Sequence, residues 1–202
     1  MVTERNPEQT RTRILEAAHE EIYQNGYQGM RIEAILQKTN LAKGALYHHF
    51  PNKLALGYAV VDEILTAHFE EVWNNFLAEN KDPLTAMQKL FAWKTECLQE
   101  EGCFNGCPLN NLTQEMSALD DGFHQRLRNV MEAIIGSITS ALEQGQVDGY
   151  VRKDINARQA ALFLHCCYQG IMSTAKCMQA PQLLPDLFST LISYIDTLRA
   201  RH

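Results

Sequence analysis

A chain of 202 residues, 46% of them apolar, is long enough for one or two domains with a real hydrophobic core. Its polar start, MVTERNPEQTRTR, leads into no apolar run, and no stretch approaches the roughly 18 to 20 apolar residues of a membrane span. Neither a signal peptide nor a transmembrane helix is expected, and the chain reads as cytoplasmic. Six Cys without an export signal then read as thiols or ligands, not as a disulfide framework. The formal charge of −6 is unevenly spread. Residues 1–56 hold seven Lys/Arg against six Asp/Glu, and the remainder eleven against eighteen. An acidic body with a near-neutral head suits a small anion-binding module joined to something else.

Helical periodicity dominates the chain and no strand pattern emerges. Asn6-Pro7 is a cap and first-turn pair, after which Ile14, Leu15, Ala18 and Ile22 form one apolar stripe that stops at Asn25-Gly26. A short second helix is expected over Arg31 to Lys38, a turn at Thr39 to Leu41, and a third helix from Ala42 to about His49. Pro51-Asn52 ends it, Asn52 can cap the next, and a long helix is expected from Lys53 towards Asn80. Further helices are expected at 83–100, 108–118, 120–144, 155–177 and 185–200, between turns marked by Pro and Gly. Nine helices make an all-α protein.

Between Glu33 and Asp62 lie 28 consecutive residues without a carboxylate. Three helices of about 18, 8 and 8 residues, with a short turn before the last, have helix-turn-helix proportions. Asn40 sits in that turn, where a positive φ is commonly needed and Asn tolerates it. The missing acid then has a cause, because a helix in the major groove passes close to phosphates that Asp or Glu would repel.

Residues 9–56, with Gly26, Tyr27, Ala34, Leu41, Gly44, Leu46, Tyr47, His49, Phe50, Asn52 and Lys53 in place, resemble the tetracycline-repressor family of bacterial one-component regulators. Two positions depart from the family pattern. Asn40 stands where Gly is usual, and Gln28-Gly29-Met30 replaces the usual Ser/Thr before the second helix. The resemblance implies that Lys43, Gly44, Ala45 and His48 face base edges, that Tyr47, His49 and Lys53 hold the DNA backbone, and that Arg31 adds a phosphate contact. It implies a DNA-binding domain over 1–52 and an all-α effector-binding and dimerisation domain over 53–202, linked by the helix from Lys53. No enzyme activity and no cofactor are expected.

In the second part, DINARQAALFLHCCYQGIMSTAKC is apolar or small around most of its circumference and must be buried. In the family the last two helices pair with their twins in a dimer. Cys107-Pro108 reads as a helix start, where free N–H groups and the dipole would lower a thiol's pKa. GC followed by Pro or Leu and then NL resembles the branch that includes N-ethylmaleimide-responsive repressors of electrophile detoxification genes. That likeness implies Cys107 as a sensing residue and places Lys176 where the branch carries a lysine; Cys103, four residues away, is the reserve thiol. The expected function is a repressor that binds a palindromic operator as a homodimer and is released by a ligand or by modification of Cys107. A metal sensor built on Cys97, Cys103 and Cys107 is an alternative whose spacing matches no common zinc pattern. A thiol enzyme would prefer C-x-x-C near a βαβ unit, and neither occurs here.

Overall fold

A computed structural model of the chain describes residues 7–100 and 104–201; Asn6 and Cys103 lie outside them. Among the described residues the fold is all-α, with one isolated antiparallel bridge between Val151 and Arg199 and no strand. The helices are α1 (Pro7–Gly29), α2 (Ile32–Thr39), α3 (Lys43–His49), α4 (Lys53–Ala59), α5 (Thr66–Glu79), α6 (Pro83–Glu100), α7 (Pro108–Met116), α8 (Asp121–Asp148), α9 (Ala157–Cys177) and α10 (Leu184–Asp196). Among the described residues no helix is long and apolar enough to cross a membrane.

One expected helix differs in detail. The path from Lys53 is continuous but changes winding at Val60–Leu65, where a wider i→i+5 turn joins α4 to α5. Val60, Val61 and Leu65 are all buried, so the wider turn gathers three aliphatic side chains into the core. The last helix also ends sooner than expected. Beyond Asp196 the chain pairs with the 150–152 segment, Arg152 donating to the Leu198 carbonyl and Ala200 to that of Tyr150.

The chain divides into two compact units, Met1–His68 with Asn111–Asn129, and Phe69–Asn110 with Val130–His202. The first unit thus takes in more than the 52 residues read from the sequence. Its core joins Ile14, Leu15, Ala18 and Ile22 of α1 to Ile35, Leu46 and Leu56. Tyr27, Phe123 and Tyr58 add an edge-on aromatic group, with ring centroids 4.6 and 5.0 Å apart. Gly57 sits against these rings. A Cβ there would come within 2.5 Å of the Tyr27 ring and 2.8 Å of Phe123. Gly57→Ala is therefore expected to lower stability by about 1–3 kcal/mol through overpacking. Thermal unfolding checks this, and an unchanged Tm would show that the rings yield freely.

The second unit packs α10 against both α6 and α9. Phe91 and Phe188 stack at 5.6 Å with Tyr168 beside them, and Trp73 meets Phe91 edge-on. Each buried phenyl contributes about 1.5–3 kcal/mol by leaving water. The Asp82 side chain caps α6, accepting from the Leu84 amide and the Thr85 hydroxyl, and Arg199 holds it from the chain's end. Asn156 caps α9 in the same way through the Gln159 amide.

Candidate nucleic-acid interface and buried thiol

The helix-turn-helix forms as the sequence suggests. Asn40 adopts φ 52° and ψ 44° and closes α2, its amide bonded back to Gln37. Asn52 caps α4 through the Ala55 amide. The first turns of α2 and α3 carry no side-chain cap, which agrees with the loss of Ser/Thr before α2.

On α3, Leu46 turns fully inward while Lys43, Gly44, Tyr47 and His48 face solvent, with Ala45 and His49 half-buried at the edge. A Cβ on Gly44 would meet nothing within 4 Å, so backbone as well as side chains is open on this face. The Lys43 ammonium lies over the Tyr47 ring and the two imidazoles of His48 and His49 meet edge-on. Tyr47 is 37% exposed and not a core residue. A face with one cation, two imidazoles, a phenol and a bare glycine can approach a groove edge closely and offers donors to acceptor-rich base edges.

Lys53 is placed differently from a solvated lysine. Its Nζ donates to the carbonyls of Gln28 at 3.0 Å and Met30 at 2.8 Å and sits over the Tyr27 ring. Two of the ammonium's three N–H bonds thus hold the α1–α2 turn. Arg31 is exposed, 3.8 Å from Glu21. Several acids of the first unit are held by its own cations: Lys38 pairs with Glu20, Arg11 with Glu63 and Arg126 with Asp62.

Glu115 was not singled out in the sequence. Its two carboxylate oxygens accept from the amides of Tyr27 and Gln28, each at 2.8 Å. Gly26 makes this possible with φ 75° and ψ 166°, a conformation essentially confined to glycine. A Cβ there would stand 2.8 Å from the carboxylate. Nothing local in the sequence joins Glu115 to residues some ninety positions earlier.

In the second unit, Cys107 stands just before α7 as expected, but its thiol pKa is not lowered there. Burial pushes the thiol up from its ordinary value. This outweighs the Asn110 and Leu109 amides, the charge of Lys94 and the Gln169 side chain, all of which pull it down. At 1% exposure the sulfur lacks the water that a free thiolate needs. Lys176 lies half-buried in the last turn of α9, and the cation acting on Cys107 is Lys94 of α6. Among the described residues Cys166 and Cys177 are the exposed thiols. Near Cys107, Gln169 is buried with its Oε1 unpartnered and its Nε2 3.4 Å from His165. Among the described residues no three His, Cys, Asp or Glu could hold a metal ion; the metal alternative includes Cys103, outside them.

Comparisons with known proteins agree with this geometry. Residues 14–60 match the family described as "Bacterial regulatory proteins, tetR family", and residues 83–191 match "Tetracyclin repressor-like, C-terminal domain". An uncharacterized HTH-type transcriptional regulator of Lactococcus lactis is 30% identical over 68% of this chain and 70% of its own. The HTH-type transcriptional repressor NemR of Escherichia coli is 22% identical over 93% of this chain and 94% of its own. The crystal structure of reduced NemR superposes with a TM-score of 0.84 at 19% identity, covering 95% of this chain and 97% of that one. The open face of α3 lies inside the first match and the α6, α9 and α10 packing inside the second, so the chain belongs to the tetR family of bacterial regulatory proteins.

Proposed function

We propose that the protein is a transcriptional repressor that binds a palindromic operator as a homodimer and lets go when its second unit is occupied or Cys107 is modified. The observation that carries the reading is the outward row of Lys43, Gly44, Tyr47 and His48 on α3, inside a stretch free of carboxylates. Two such helices, one from each protomer, would enter successive major grooves about one DNA turn apart. Lys43 and His48 read base edges, Gly44 and Ala45 allow close approach, and Tyr47, His49, Arg31 and Lys53 serve the phosphates. The dimer is supported by α9, which leaves Leu162 and Phe163 exposed at 38% and 49% beside Cys166 and Gly170.

Lys43→Ala is expected to weaken binding to the preferred operator by about 1–3 kcal/mol while sparing random duplex. Lys53→Ala should weaken both alike and make the salt dependence shallower by about one phosphate contact. Titrating each variant against a duplex selected by the wild-type protein, at several salt concentrations, checks both. Two variants that bind every duplex as well as wild type would remove α3 from the groove.

On the effector side two triggers compete. The donors around Cys107 favour holding a sulfur anion once one is formed. Its burial favours a non-covalent ligand in the second unit instead. Either event would reach the head through the helical path that begins at Lys53, and a coupling of about 1–3 kcal/mol gives a roughly 5–150-fold loss of operator affinity.

A further inference from the structure

The carboxylate of Glu115 joins the last turn of α7 to the loop that leads into the helix-turn-helix. Its partners are backbone amides, Tyr27 and Gln28, at 2.8 Å each. Successive amides after a positive-φ glycine make a concave seat for an anion, and here the anion is a side chain of the protein itself. The seat is fitted to it, since Gly26 has no room for a Cβ against the carboxylate.

The same loop has a second anchor that does not involve α7. Lys53 of α4 grips the Gln28 and Met30 carbonyls from the other side. The corner after α7 is tied to α4 as well, Tyr58 donating to Asp120 at 2.6 Å and Arg126 pairing with Asp62. The head therefore keeps its loop and its corner without Glu115. Glu115 adds a link from α7 to the loop. The other end of α7 begins at Cys107, and in its first turn Asn110 donates to the Ser173 hydroxyl of α9. A helix of nine residues is about 13 Å long and too short to absorb a shift by bending. Displacing its first turn by 1 Å carries its last turn too, and a 2.8 Å bond stretched that far no longer holds.

We propose that Glu115 is the coupling residue of this repressor: through its bonds to the Tyr27 and Gln28 amides, a displacement of α7 reaches the helix-turn-helix and weakens operator binding. This rests on the proposed repressor function but not on which trigger moves α7. It adds a route separate from the path that begins at Lys53.

The test is a double-mutant cycle read by operator binding, with the duplex selected by the wild-type protein from a random pool. Asn110→Ala frees the first turn of α7 and should lower affinity about fivefold or more. Glu115→Ala alone should stay within about threefold of wild type, and in that background Asn110→Ala should have no further effect. Amide exchange at Tyr27 and Gln28 should speed up in Glu115→Ala and, by about half the bonds, in Glu115→Gln. An additive cycle, an Asn110→Ala variant that binds as wild type, or a Glu115→Ala variant that loses DNA binding outright would each overturn the coupling role. A parallel arm treats wild type and Glu115→Ala with N-ethylmaleimide, with modification at Cys107 confirmed by mass. Release of wild type and retention of Glu115→Ala on DNA is the expected result; equal release of both also overturns it. Should wild type stay bound with Cys107 modified, the thiol trigger falls while the cycle still judges Glu115.

Discussion

Gly170→Glu is expected to turn the proposed dimer into a monomer with its helical content intact. Gly170 lies on the open side of α9, where a Cβ would meet nothing within 4 Å of its own chain. A larger side chain therefore fits the protomer, and any damage must come from a partner. Around it stand Leu162, Phe163 and Cys166, too much apolar surface for a helix that stays in water. Two-fold symmetry would set the two new carboxylates near each other, each without a counter-charge. An uncompensated buried charge costs about 3–5 kcal/mol. Sedimentation at micromolar concentration, with circular dichroism as the control, checks this. A monomeric wild type, or a Gly170→Glu variant that still dimerises, would remove the interface from α9.

Cys107→Ser is expected to abolish release from the operator by N-ethylmaleimide, a loss of the whole 5–150-fold response if coupling is of the usual size of about 1–3 kcal/mol. The structure changes how the reaction should look. Burial raises the thiol's pKa, so the sulfur is protonated at neutral pH and only a small fraction is reactive. Modification should be slow at neutral pH and keep accelerating beyond the point where an ordinary thiol, with pKa about 8.5, levels off. Cys177, exposed and away from the proposed α9 interface, should take up reagent first. Time-resolved mass mapping alongside operator release separates them: release should follow the late modification at Cys107. If Cys107→Ser releases DNA as wild type does, a non-covalent ligand of the second unit becomes the trigger. Its natural contacts are then the buried Gln169 Oε1, which lacks a partner, and the His165 beside it.

The features legible in the sequence were those written locally. Asn40, Gly26 and Pro108 do with their own backbone, and Asn52 with its side chain, what their residue type suggests, so the helix boundaries followed. The open row on α3 was legible because three neighbours, Leu41, Leu46 and Phe50, are apolar at helical spacing and all turn inward. Where two physical effects oppose one another, local reading failed. At Cys107 the helix-start donors are present as inferred, but burial depends on side chains of α6 and α9 and reverses the outcome. The turn of wider winding at Val60–Leu65 has no composition that sets it apart from ordinary helix. Glu115 is one of six acidic residues from Glu96 to Asp121, and only folding brings its carboxylate to the amides beside Gly26.

The ion pairs on the head also govern how quickly DNA is found. Lys38, Arg31, Arg11 and Arg126 each face a carboxylate of the same unit, so their fields largely cancel within a few ångströms. A chain of net charge −6 then approaches a polyanion with long-range attraction from few cations of the head, such as Lys43, Lys53 and Arg13. Its encounter rate belongs with unsteered association, about 10⁵–10⁶ M⁻¹ s⁻¹, and not with the electrostatically accelerated range. Random duplex is held only briefly, and occupancy of the operator comes from slow departure once the fit is made. A coupling device that acts on fit, such as the seat for Glu115, thus works on the one kinetic step that keeps the protein on its site.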